Sequence, residues 1–195
     1  MTQPGGAPWW RWGVTAVLGL GVVVALNVYF ARDARRFGEG LAAGPTPELA
    51  TPVAEPEVLP LTEADRRALV AMRERAAALA RRHVGSVPRG VPFDLSIVQE
   101  ILERAELAAS DTSDLQALGV VMGDVLAAEY GMRWVKVADQ YGRTAALRYR
   151  SDEHLFFPVT WVSKRVEAGL DVDVRALYGD LEALVRRIDA ASGGG

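Results

Sequence analysis

Three carboxylates stand where acid–base chemistry could be done: Asp124, Asp139 and Glu167. Asp124 ends the run Leu118-Gly119-Val120-Val121-Met122-Gly123-Asp124 and is followed by Val125-Leu126, so its side chain must meet a partner or line a pocket. A carboxylate among apolar groups can serve as a general base, because burial raises its proton affinity. Buried charges are normally paired, however, and the first expectation for Asp124 is an ion pair with an arginine such as Arg143 or Arg165. Asp139 opens Asp139-Gln140-Tyr141-Gly142-Arg143. There an aspartate accepts backbone N–H groups and a glycine supplies an unusual φ, so Asp139 reads first as a turn builder. Tyr141 and Arg143 form a candidate recognition edge beside it.

The run Ser163-Lys164-Arg165-Val166-Glu167 invites comparison with a serine–lysine nucleophile. Adjacent residues on a helix point about 100° apart, so Ser163 and Lys164 do not face one another as nucleophile and base. Binding suits the run better: Arg165 can fork onto a carboxylate or phosphate, and Lys164 adds a compact charge.

Metal and cofactor chemistry finds little to work with. The chain has no cysteine and only two histidines, His83 and His154, far apart in sequence. No His-x-x-x-His or Glu-x-x-His pair exists to seat zinc or iron, and neither a metal nor a cofactor is expected. His83 reads as a cation near a helix C-terminus. Gly119 to Gly123 is a small-residue helix face suited to close packing, not a phosphate loop. With 22 basic against 25 acidic residues and a net charge of −3, Arg133, Lys136, Arg143, Arg148, Arg150, Lys164 and Arg165 read as a solvated mixed-charge surface. Nucleic-acid binding is not expected.

The elements that must position these groups begin at Leu61. Leu61 followed by Thr62-Glu63-Ala64-Asp65 reads as a staple residue, an N-cap and an acidic first turn. Leu69, Met72, Ala76, Leu79 and His83 then recur at helical spacing, with arginines including Arg73 and Arg75 on the remaining surface. After Gly85, Pro88, Gly90 and Pro92, Asp94 is expected to cap a second helix burying Leu95, Val98, Leu102 and Ala105. A third helix, entered through residues 111–114, carries Leu115, Leu118, Met122, Val125 and Leu126 and stops at Gly131. The period then becomes extended: 134–137 and 145–149 make a hairpin, and 154–157 a third strand ending at Pro158. Val159, Val162 and Val166 share a helical face up to Gly169, and a final helix spans about 174–188. The expected fold is α+β: a domain over 61–191 of about five helices with a small three-stranded antiparallel sheet, then a flexible tail, 192–195.

Ahead of this domain lie an N-terminal tail, 1–11, and an uncharged stretch, 12–31, that opens on Trp12 and closes on Ala31. About 20 apolar residues span a hydrocarbon core of roughly 30 Å, so the stretch is expected as a transmembrane helix in the lipid bilayer. Trp9, Trp10, Tyr29 and Phe30 suit the headgroup layers. Its length, and the lack of a small-x-small site at Ala31-Arg32-Asp33, argue against a cleaved signal peptide. Residues 32–60 are charged and then proline-rich, with Pro45, Pro47, Pro52, Pro56 and Pro60 interrupting both helix and ladder, and are expected as an extended tether. Arg32, Arg35 and Arg36 outnumber Arg11, which leans toward a cytoplasmic domain on a single-pass inner-membrane protein. A tether of this kind also suits an exported domain, and the periplasmic side stays open. Gly21 and Ala25 have small-x-x-x-small spacing and Asn27 could hydrogen-bond across a pair, giving a weak homodimer as a further expectation.

The order Leu118 to Leu126, Trp134-Val135, Asp139 to Arg143, Phe157-Pro158 and Ser163 to Glu167 resembles the bacterial family called domain of unknown function 3806, over roughly the last half of the chain. The resemblance carries over no activity. The residues themselves favour a membrane-anchored, non-catalytic protein-interaction module, docking a protein partner on the hairpin edge and the segment 158–167. The alternative is a small membrane-tethered enzyme using Asp124, Asp139 and Glu167 for acid–base chemistry.

Overall fold

The computed structural model describes residues 56–139, 142–151 and 154–192. The expected transmembrane helix 12–31, the tether up to residue 55, Tyr141 and residues 193–195 lie outside them. No helix among the described residues is long and apolar enough to cross a membrane.

A strand β1 (Glu57–Leu59) precedes three helices, α1 (Glu63–His83), α2 (Asp94–Arg104) and α3 (Thr112–Tyr130). Strands β2 (Arg133–Asp139), β3 (Gly142–Arg148) and β4 (Leu155–Phe156) follow. A 3₁₀ turn (Pro158–Thr160) leads into α4 (Trp161–Glu167), and α5 (Val174–Ser192) closes the domain. The expected α+β class and the five helices are present. The sheet, however, has four strands rather than three, antiparallel throughout in the order β1-β2-β3-β4. The added strand lies in what the proline spacing marked as tether. Pro56 and Pro60 fall just outside Glu57–Leu59, so the three residues between them pair with Ala138, Val137 and Lys136 without a proline in the ladder.

Helix α1 opens as its sequence dictates: the Thr62 hydroxyl accepts from the Asp65 amide at 3.2 Å, and the Asp65 carboxylate accepts from the Thr62 amide at 2.9 Å. Helix α3 is the core of the fold. Leu115, Leu118, Met122, Val125 and Leu126 are buried as expected, and so are Ala117, Gly119, Val120, Val121 and Gly123. A helix apolar on nearly every side must be surrounded, and α1, α2, α4 and the 3₁₀ turn all pack on it. The small-residue face does what its composition implied. A methyl group on Gly123 would stand 2.6 Å from the Trp134 ring and 2.7 Å from Pro158, so only glycine lets these groups close on the helix.

Helix α2 corrects two expectations. Its buried stripe is Ile97, Val98 and Ile101, while Leu95, Leu102 and Ala105 are half-buried. Apolar residues at five of its positions offer two overlapping faces, and packing between α1, α3 and α5 selects the narrower. Asp94 is not an N-cap either. It is only 1% exposed, and its Oδ2 accepts from the backward-lying amides of Arg89, Gly90 and Val91 at 2.7, 2.6 and 3.1 Å. It folds the preceding loop instead of the following helix.

Candidate functional site

Leu69, Ala76 and Ala80 form the buried stripe of α1, and Arg73 lies on the same stripe, four residues after Leu69. A guanidinium placed there must find an anion on α3. It finds Asp124: Arg73 Nε donates to Oδ2 at 2.6 Å and Nη2 to Oδ1 at 2.8 Å. Trp134 Nε1, from the first turn of the hairpin ladder, donates to Oδ1 at 2.9 Å. The expected pairing of Asp124 with Arg143 or Arg165 is therefore corrected. Arg73 takes the carboxylate because α1 packs along α3, whereas Arg143 stands near the tip of the hairpin. The same pairing pushes the Arg73 proton affinity further above its already high ordinary value. The signal for Arg73 was in the sequence, as a charge within an apolar stripe.

Two more cross-element pairs bind α1 to the elements after it. Asp65 accepts from Lys136 of β2, and that contact holds its carboxyl well below the usual range, at about 2, with the Thr62 hydrogen bonds adding to the effect. Arg75 Nε meets Asp114 Oδ1 at 2.5 Å. A separate polar seam joins α3 to α5. Tyr130 donates to Glu182 Oε1 at 3.1 Å, and Tyr178 donates to Glu129. Burial pushes the Tyr130 hydroxyl up to about 12 and Tyr178 further still, each helped by its carboxylate partner. Beyond the sheet, Tyr149 donates to Asp189 Oδ1 at 2.5 Å, and Arg150 pairs with the same oxygen at 2.8 Å while its guanidinium lies 5.3 Å from the Tyr149 ring centre.

The other candidate residues fall on separate elements. Asp139 and Arg143, both exposed, sit near the hairpin tip, where Asp139 pairs with Gly142 and Gly142 adopts φ +133° as its turn position requires. At about 3.4 Å per residue, roughly 17 Å of strand separates Asp139 from Trp134, the residue that touches Asp124. Lys164 and Arg165 are half-buried on α4 and Glu167 ends that helix exposed. Ser163 is buried and its hydroxyl turns back toward the Thr160 carbonyl at 3.5 Å. His83 lies in the last turn of α1 with Arg81 and Arg82, where a cation complements the helix dipole. His154 Nδ1 contacts Ser151 Oγ at 3.0 Å within an exposed turn.

An α+β domain with one buried central helix, clamped to its neighbours by ion pairs, is thus the setting of these groups. Residues 94–178 match the model of the family described as Domain of unknown function (DUF3806). A crystal structure of a protein from Bacteroides thetaiotaomicron VPI-5482 shares the fold with a TM-score of 0.60 at 18% identity. The match covers 69% of this chain and 50% of that one, so the chain spans about half the length of the solved protein. No curated protein matches the chain.

Proposed function

We propose that the chain is a membrane-anchored, non-catalytic interaction module. Residues 12–31 hold it in the bilayer, the domain faces the cytoplasm, and a protein partner docks on Arg143 of the hairpin and Lys164 and Arg165 of α4, with Tyr141 as a further contact. The observation that supports the non-catalytic reading is the state of Asp124. Both of its oxygens are taken by Arg73 and one is shared with Trp134, so the carboxylate best sited for acid–base work acts as a clamp between α1, α3 and β2. A general base needs a free lone pair aimed at substrate.

Photocrosslinking amino acids at positions 143 and 164 of the full chain, expressed in its own membrane, test the docking surface. A discrete adduct of the same protein at both positions is expected. Adducts at neither, or with different proteins at each, overturn it. The enzyme alternative requires Asp124→Asn to abolish a turnover without shifting the thermal transition; a large loss of stability supports the clamp. Alkaline phosphatase fused after Ser192 and active in the periplasm would reverse the orientation.

A further inference from the structure

Strand β3 runs for 7 residues, Gly142–Arg148, but β4 pairs only with Leu147 and Arg148 at its end. The register sets Phe156 opposite Leu147, so a longer β4 would set Pro158 opposite Ala145. Proline has no N–H to give the ladder. The chain leaves the sheet there, and the Pro158 carbonyl lies against Gly119 of α3 instead. Which backbone groups this uncovers follows from the period of the strand. The Tyr149 amide donates to the His154 carbonyl at 2.9 Å, on the β4 side. Alternate residues of an antiparallel strand point their N–H and C=O the same way, so Leu147, Ala145 and Arg143 share that side while Thr144 and Ala146 turn theirs to β2. Among the described residues no backbone group meets those of Arg143 and Ala145, and the Ala145 carbonyl receives only a 3.5 Å contact from Thr144 Oγ1.

A row of outward donors and acceptors is answered by one kind of occupant, another extended backbone. Arg143 sets its charge, being exposed and meeting no carboxylate among the described residues. A second copy of the chain is disfavoured. Pairing two β3 edges brings the two Arg143 side chains opposite or diagonal to one another on one face, where like charges repel. A strand carrying Asp or Glu at that position gains from the same arginine. We propose that the β3 edge at Arg143–Ala145 receives an extended, acidic segment of a partner protein as an added strand, with a carboxylate of the segment beside Arg143. This mode of docking rests on the surface proposed above, of which Arg143 is part.

Ala145→Pro removes an outward N–H and sets a ring on the edge while leaving the bonds to β2, and Arg143→Glu reverses the charge. Random peptides displayed on phage are panned on the full chain in detergent micelles. Expected are peptides of alternating apolar residues with Asp or Glu among them, bound about tenfold more weakly by each variant. Where Ala145→Pro does not fold, Arg143→Glu carries the comparison, with its thermal transition unchanged. In residue-resolved hydrogen exchange, the Arg143 and Ala145 amides should exchange fast in the unbound chain and slowly with the peptide, while Thr144 and Ala146 are protected in both states. Outward amides already slow without peptide, or peptides that bind both variants as well as the parent chain, overturn the added strand. A doubled mass that Ala145→Pro abolishes assigns the edge to a second copy and overturns the acidic partner. The photocrosslinker at position 164 separates this mode from the docking surface itself. An adduct that persists in Ala145→Pro keeps the surface and rejects the strand; no adduct in the parent chain rejects the surface, and the peptides and amides then decide the edge alone.

Discussion

Gly119 of α3 lies so close to Pro158 that a methyl group on its Cα would meet the proline carbonyl oxygen at 2.2 Å. The 3₁₀ turn that launches α4 therefore rests on the bare backbone of the central helix. Alanine at an exposed helical position would gain about 1 kcal/mol over glycine. Here the turn must move away, and overpacking of a close contact costs about 1–3 kcal/mol. Gly119→Ala should lower stability by a net of about 1 kcal/mol in urea unfolding. A stabilising Gly119→Ala would show that the turn does not sit on the helix in this way.

Arg73 and Asp124 give the second prediction. Both are partly open to solvent, with side-chain exposures of 39% and 22%, so screening keeps their coupling below that of a fully buried pair. Asp124→Asn or Arg73→Met should each cost about 1–2 kcal/mol, with a coupling near 1 kcal/mol in the double-mutant cycle. Trp134→Phe should also lower stability, since it removes a donor to the same oxygen together with the ring atoms that pack on Gly123. Additive single mutants would mean that the two side chains do not act as a pair.

How far these contacts could be foreseen differs from element to element. The α3 stripe and its Gly131 stop were plain, because a helix buried on nearly all sides carries redundant signal. Thr62 and Asp65 announced their capping box through spacing alone. Glu57–Leu59 was missed because three residues between prolines are too short to show period 2, and only pairing with β2 makes them a strand. Residue type alone assigns Arg73 to the surface, whereas its spacing from Leu69 puts it on the buried side. Asp94 misled for a related reason: an aspartate before a helix signals a cap, but which amides it takes depends on the loop path, which one sequence does not encode locally.

The family match covers 94–178, yet the ion pairs cross its lower boundary. Arg73–Asp124, Arg75–Asp114 and Asp65–Lys136 all join α1 to residues inside it, and Leu69 packs with Val120 and Val159. Val185, fully buried, comes from beyond the upper boundary. A fragment restricted to 94–178 would expose Val120 and leave Asp124 without its arginine. It should show no cooperative thermal transition, whereas a fragment from 56 to 192 should unfold in one step. Cooperative unfolding of the short fragment would show α1 to be an accessory.

Stability should fall off at both ends of the pH scale, for different residues. The folded Asp65 carboxyl titrates at about 2 because Lys136 favours its charged form, against about 3.9 for an unfolded aspartate. A depressed folded value means that the unfolded chain takes up the proton first. The contribution is present above pH about 4 and is lost as pH falls toward 2. Tyr130 behaves in the opposite sense, with its hydroxyl at about 12 in the fold and about 10 when unfolded. Its contribution is present below pH about 10 and is lost as pH rises toward 12. Urea midpoints measured across the range should decline on both limbs. Lys136→Met should flatten the acid limb and spare the alkaline one, and Tyr130→Phe should make the alkaline limb shallower, with the part due to Tyr178 remaining, and spare the acid one. Both variants altering the same limb would break the assignment.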